Sequence, residues 1–300
     1  MKKFLKKVAC LTVMAVTVMS AAMAQDAQPT SADNKKIEFS LHLGGAVPLG
    51  DFGDSRIRDE EPFVAWSTKE SDKGGAGFGA NVGMKLKFNI PSVKGLGIIA
   101  TADLFWNGAN ADLKDLKEDL LDEMLEGSED SYYGDYYSYS YEDEVYDAKV
   151  KLPNYLNIPI MAGLNYEYSL NNGISLWGEG AVGVNIAKVT KLEVYQEGHY
   201  SGYEYDYNSG SSSYEYDYEE RWGMKYDIQT GLAFQFGVGV KFADKFSIGL
   251  HYYALGKVKL EGEAYEEWYD SDEGEEFYEE SFKLKSVSPS IFAIRLGFHF

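Results

Sequence analysis

Apolar and polar residues alternate one by one over long stretches of this chain. From Ile228 to Phe242, the residues Ile228, Thr230, Leu232, Phe234, Phe236, Val238, Val240 and Phe242 share one face. Gln229, Gly231, Ala233, Gln235, Gly237, Gly239 and Lys241 share the other. Period two is the side-chain repeat of a β-strand. Seven more segments read the same way: Ile37 to Leu49, Ala76 to Phe88, Leu96 to Trp106, Leu156 to Tyr168, Ile174 to Ile186, Phe246 to Leu260 and Phe282 to Phe300. Their apolar faces carry no Asp, Glu, Lys or Arg, whereas Lys85, Lys87, Asp103, Glu167, Glu179, Lys241, His251 and Arg295 fall on the opposite face. A soluble barrel has no need of such a strict ban. A Lys or Arg facing lipid costs about 2–4 kcal/mol at mid-bilayer. The pattern therefore predicts an all-β fold, an eight-stranded antiparallel transmembrane β-barrel with its apolar face outward.

The spacers set an orientation. Long connections near 50–75, 107–155, 187–227 and 261–281 alternate with short ones at 89–95, 169–173 and 243–245. Short periplasmic turns and long extracellular loops are the usual asymmetry of such barrels, and an even strand count puts both termini in the periplasm. Within the second long connection, Leu113, Leu116, Leu120, Leu121, Met124 and Leu125 recur at helical spacing. Asn110 or Asp112 is placed to cap that helix, which Gly127 ends over the barrel mouth.

The first 24 residues hold four lysines, an apolar run from Val8 to Met19, and small residues at Ala22 and Ala24, the parts of a secretory signal cleaved after Ala24. Residues 25–35 then form a short periplasmic segment and 36–300 the barrel unit. Lys7, three residues before Cys10, stands where a lipoprotein signal needs an apolar side chain. Cys10 is the only cysteine, so the mature chain has none, as suits an oxidising compartment. The net charge of −20 excludes a nucleic-acid partner, whose binding rests on cations that neutralise phosphates.

The last strand ends IFAIRLGFHF, with Phe292, Ile294, Leu296, Phe298 and Phe300 on one face. It resembles the C-terminal assembly signal of bacterial outer-membrane proteins. LHLGGAVPLGDFG from Leu41 to Gly53 and YLNIPIMAG from Tyr155 to Gly163 resemble strands of the outer-membrane β-barrel domain family, the OmpA/OmpX/OmpW-like eight-stranded barrels and the Bacteroidetes-type domain. The resemblance covers the strands and none of the long loops. It implies location in the outer membrane of a Gram-negative bacterium, with membrane lipid and the assembly machinery as partners. It implies little chemistry.

An eight-stranded barrel is just wide enough for side chains to fill it. Buried charges need partners, so Lys85, Lys241 and Arg295 are expected to pair with Asp103 and Glu179 as an interior polar cluster. Of the 48 acidic residues, 41 lie in the long connections, as do 19 of the 24 tyrosines. YEYDY occurs twice, at Tyr203 to Tyr207 and at Tyr214 to Tyr218, around NSGSSS. It reads as a hairpin continuing strands five and six. Folded symmetrically, it sets Glu204 opposite Asp217 and Asp206 opposite Glu215. Those four carboxylates on one face predict a weak divalent-cation site, calcium being the natural ion. No other cofactor is expected, and no G-x-S-x-G, H-E-x-x-H or phosphate loop points to an enzyme. The expected function is surface binding or adhesion to an unknown extracellular ligand, or envelope structure, through the acidic, tyrosine-rich loops. The alternative is a narrow porin-like channel for small cations.

Overall fold

A computed structural model describes residues 36–300 except 59–60, 63, 70, 134–136, 171–172, 207–209 and 272–273; the expected signal peptide (1–24) and segment 25–35 lie outside the described residues. The strands, in chain order, are β1 (Ile37–Pro48), β2 (Ile57–Arg58), β3 (Glu61–Pro62), β4 (Ala76–Asn89) and β5 (Leu96–Ala109). After helix α1 (Ala111–Leu125) come β6 (Ser128–Tyr133), β7 (Tyr137–Lys151), β8 (Tyr155–Ser169), β9 (Ile174–Val189), β10 (Leu192–Asp206) and β11 (Gly210–Tyr226). The chain ends with β12 (Gln229–Phe242), β13 (Phe246–Ala254), β14 (Glu261–Asp270), β15 (Gly274–Lys283) and β16 (Ser290–His299).

Eight of these strands close a barrel in the order β1-β16-β13-β12-β9-β8-β5-β4, all neighbours antiparallel. Leu43 stands between Leu296 of β16 and Val82 of β4 at the closure. The apolar face points outward, as its freedom from charge predicts. Phe78, Val82, Met84, Leu86 and Phe88 of β4 are exposed, while Asn81, Lys85 and Lys87 between them are buried. Phe78 and Phe88 are ten residues apart, about 33 Å along a strand and about 25 Å along the axis at a 40° tilt. That is the height of an outward apolar band in membrane barrels.

The short connections are tight turns. At Ala243-Asp244 both residues have positive φ, 48° and 58°, and the Lys245 N–H donates to the Phe242 carbonyl at 3.1 Å. This is the left-handed geometry that two-residue hairpins favour.

The last two wall strands are shorter than the alternation suggested. The strand expected over Phe246 to Leu260 stops at Ala254, since Gly256 turns the chain at φ 71° and leaves one bridge, Val258 to Val287. The strand expected over Phe282 to Phe300 is two strands, β15 and β16, parted at Pro289. Proline has no N–H for the ladder; its carbonyl accepts the Leu255 N–H at 2.9 Å.

The long connections are mostly folded. β15-β14-β11-β10-β7-β6 form a second, six-stranded sheet. β7, β10, β11, β14 and β15 carry the chain above β8, β9, β12, β13 and β16, so this cap continues five adjacent wall strands. It leaves β1, β4 and β5 without extension. An apolar core lies where cap meets barrel, built from Phe52, Val64 and Trp66 of the first connection with Tyr155, Tyr226, Leu255, Leu260 and Val287. The Tyr226 hydroxyl donates to the Trp66 carbonyl at 2.6 Å and the Tyr155 hydroxyl to the Gly74 carbonyl at 2.8 Å. Helix α1 starts where the Asn110 side chain accepts the Leu113 N–H at 3.2 Å, buries Leu113 and Leu116, and is followed by Gly127 at φ 66°.

Candidate functional site

The barrel interior holds two charged levels. At mid-barrel, Glu179 accepts Lys85 Nζ at 2.9 Å and Asn165 Nδ2 at 3.1 Å on one oxygen. Its other oxygen accepts Gln235 Nε2 at 2.7 Å and lies 3.2 Å from His251 Nε2. Beside this network Arg295 Nη2 donates to Asp103 at 2.6 Å, and the Tyr253 hydroxyl reaches the same carboxylate at 3.2 Å. Lys85 also lies 5.0 Å from the Trp177 ring centroid. All four charged side chains are buried. Complete pairing is what makes ions tolerable here, because a buried charge without a partner is costly.

The second level sits at the short-turn end. Lys241 Nζ lies 2.9 Å from Glu38 and 3.2 Å from Glu167, Lys87 donates to Glu167 at 2.8 Å, and His299 Nδ1 is 2.9 Å from Glu38. A pocket of about 340 Å³ opens beside them, reaching Lys94 and Pro91 of the turn. The expected pairing of Lys241 with Asp103 or Glu179 is therefore corrected. Face fixes inside against outside, and height along the axis decides which charges meet. Lys241 is one residue from the end of β12, as Glu38 is from the start of β1; Glu167 is two from the end of β8. Lys85 is four residues and Glu179 five from the same end of the barrel. Counting residues to the short turns separates the two groups. Glu38 and His299 alternate inward as the others do, next to the short-turn ends of β1 and β16, and the same count would have found them.

In the cap, the hairpin register differs from the symmetric one. Tyr200 faces Tyr216, Gly202 faces Tyr214, Ser201 faces Glu215, His199 faces Asp217, Glu204 faces Ser212 and Asp206 faces Gly210. The expected pairs were Glu204 with Asp217 and Asp206 with Glu215. The slip is an odd number of residues, which transfers one strand's set of side chains to the other face. Glu204 and Asp206 thus lie on the face of Tyr200, Tyr214 and Tyr216, whereas Glu215 and Asp217 lie on the reverse with His199. The four carboxylates do not converge, and no cluster of three or more metal-ligating side chains occurs among the described residues. His199 lies beside the last two instead, 2.8 Å from Asp217 and 3.3 Å from Glu215. The Asp217 hydrogen bond, helped by the nearby Glu215 and Glu144 charges, raises its pKa.

The two faces of the cap have different chemistry. Toward the barrel axis the root presents Val150, Leu192, Val194 and Tyr226, all buried. Higher on that face runs a tyrosine ladder: Tyr132 to Tyr139 at 6.0 Å between ring centroids, Tyr139 to Tyr141 at 6.4 Å, Tyr141 to Tyr200 at 5.8 Å, and Tyr200 to Tyr216 at 5.4 Å, all stacked. Below it the Tyr218 hydroxyl donates to Asp143 at 2.8 Å and accepts from Gln196 at 2.9 Å; burial and the Asp143 hydrogen bond push its pKa up. The reverse face carries Lys149, Tyr195 and Arg221 in one rung and Lys225 beside Tyr265. The Tyr195 ring lies between Lys149 at 5.2 Å and Arg221 at 5.4 Å.

On the final strand, Phe292, Ile294, Leu296, Phe298 and Phe300 follow the outward face. Ile294 and Phe300 are exposed, and the Phe300 N–H donates to the Phe39 carbonyl at 2.9 Å.

Pairing and burial together define a closed eight-stranded antiparallel barrel with an outward apolar band, a charged interior and a sheet above one mouth. No family model and no curated protein matches the chain. Among solved structures it is similar to Neisserial surface protein A, at 9% identity and a TM-score of 0.38, over 88% of this chain and 96% of that one. The outer membrane protein OprG from Pseudomonas aeruginosa is similar at 13% identity and a TM-score of 0.35, over 89% and 97%. Ail, the attachment invasion locus protein of Yersinia pestis, is similar at 12% identity and a TM-score of 0.30, over 89% and 100%. At such scores these similarities say nothing of ligand or activity.

Proposed function

We propose that this chain is an integral outer-membrane barrel of a Gram-negative bacterium that presents its acidic, tyrosine-walled cap at the cell surface as a non-enzymatic binding module. The observation that carries the reading is the division of side chains. Apolar residues face out over about 25 Å of wall, paired ions fill the inside, and stacked tyrosines line the cap. Tyrosine offers rigid, amphipathic contact area at low entropy cost. The carboxylates around it favour a cationic partner outside the cell. In this reading both termini are periplasmic, and membrane lipid and the outer-membrane assembly machinery are the partners in the envelope. The interior works as a polar plug. A narrow channel for small cations would require the Lys85–Glu179 and Arg295–Asp103 pairs to part.

The test combines two measurements. Cells displaying the chain should adhere to a surface coated with lysine-rich peptide. Replacing residues 197–219 by a short turn should abolish adherence while the barrel still shows heat-dependent gel mobility. The refolded chain should be electrically silent in a planar bilayer. Undiminished adherence of the trimmed chain would refute the assignment of binding to the cap, and stable cation-selective steps would refute the plug.

A further inference from the structure

The rim between barrel and cap carries a group of exposed lysines over β13 and β16. Lys257 and Lys259 alternate with Val258 and Leu260, which are buried, so both lysines are exposed on the outward side. The strand opposite does the same: Lys283 and Lys285 are exposed, Leu284 packs against the core and Val287 is fully buried. The Val258 to Val287 bridge and the Glu261 to Lys283 pair hold these segments side by side, which groups four lysines over β13 and β16. Among the described residues, Glu261 is the carboxylate that pairs with them, 4.0 Å from Lys283, whose side chain is 85% exposed. Like charges so placed repel unless an anion lies against them.

Height and neighbours say which anion. Lys257 lies five residues past Tyr252, and Lys285 seven residues before Phe292, the aromatic side chains nearest the cap on the outward faces of β13 and β16. The adjoining rung adds Lys225, 4.5 Å from the Tyr265 ring centroid, a cation beside an aromatic as is common at membrane surfaces. Above the rim the cap is strongly acidic, and it repels soluble polyanions that approach from the medium. A lipid phosphate arrives sideways, beneath the cap, along the apolar band.

We propose that Lys257, Lys259, Lys283 and Lys285 form a docking surface for the phosphate-bearing headgroups of lipids that surround the barrel in the cap-side leaflet. The inference rests on the membrane reading above and adds to it a headgroup chemistry and a place. Attraction between basic residues and an anionic membrane surface is strong enough for four lysines to retain a lipid selectively.

The mature chain is to be reconstituted in phosphatidylcholine vesicles with about one lipid in five as phosphatidylglycerol, then extracted and weighed by native mass spectrometry. The parent should retain phosphatidylglycerol in preference to phosphatidylcholine. Changing all four lysines to glutamine should lower that preference at least about tenfold, whereas Lys69→Gln with Lys114→Gln, and the four lysines changed to arginine, should leave it intact. If the fourfold glutamine variant fails to insert, the pairs Lys257→Gln/Lys259→Gln and Lys283→Gln/Lys285→Gln take its place. An inserted glutamine variant that retains phosphatidylglycerol like the parent overturns the docking surface alone. Displacement of the lipid by millimolar inorganic phosphate overturns its assignment to lipid. A parent chain that does not insert overturns the membrane reading, and the inference with it.

Discussion

Replacing Glu179 by glutamine tests the interior most directly, because the two side chains have the same shape. The carboxylate accepts from Lys85 and Asn165 on one oxygen and from Gln235 on the other, with His251 close by. An amide keeps one acceptor oxygen and turns its NH2 toward the other donors. Lys85, with a side chain 6% exposed, loses its only ion-pair partner among the described residues. Removing one partner of a buried pair costs about 3–5 kcal/mol, and a donor facing a donor adds about 1–3 kcal/mol. With a loss of about 4 kcal/mol and a urea slope of about 2 kcal/mol per molar, the unfolding midpoint falls by about 2 M. The assay is urea unfolding of the inserted barrel, read by tryptophan fluorescence and by gel mobility. Adding Lys85→Met removes the stranded charge, and the double variant should regain at least half of the loss. A Glu179→Gln midpoint close to the parent's, or a double variant that merely sums the two single losses, would refute the reasoning.

Other substitutions probe places where the backbone leaves no slack. A Cβ on Gly83 meets Asp103 Oδ1 and comes within 2.9 Å of Arg295 Nη2, so Gly83→Ala should destabilise the barrel by about 2–3 kcal/mol in the same urea assay. At the 243–244 turn, where both φ values are positive, Ala243→Asn with Asp244→Gly suits the backbone better and should raise the midpoint by an amount equivalent to about 1 kcal/mol. His199 predicts a pH dependence of the cap. Its pKa is raised in the folded state by Asp217 and Glu215, so its contribution is complete below the unfolded value of about 6.5 and is lost as pH rises through the folded one. Amide protection at the Tyr200–Tyr216 rung, taken relative to the base-catalysed intrinsic rate at each pH, should fall on going from about pH 6 to pH 8, the range around that value, and His199→Ala should remove that fall.

The barrel wall was legible in the sequence because one physical demand, an uncharged outward face, repeats at every second position, as Phe234, Phe236 and Val238 against Gln235 show. The cap was not, beyond one hairpin. Its strands alternate tyrosine with serine and carboxylate, and neither set marks a core. Register in such a hairpin is set by the turn. Placing that turn within the Gly and Ser run misjudged where the ladder closes, at Asp206 to Gly210. The interior ions were found, since a charge in an apolar alternation stands out. Their partners were found in part, for want of a count along the axis.

The cap grows out of the wall as antiparallel hairpins rooted in five neighbouring strands, and this bears on how such a molecule can change over generations. A residue added near the root of β10 alone would invert every side chain above it and spoil the fit of Leu192 and Val194 to the core. Residues gained or lost as matched pairs at a hairpin tip leave every lower rung in place. Inherited variation in cap height should therefore accumulate at the tips, in balanced steps, while the barrel beneath stays constant. The cap can in this way be rebuilt from the top without disturbing the part that holds it in place.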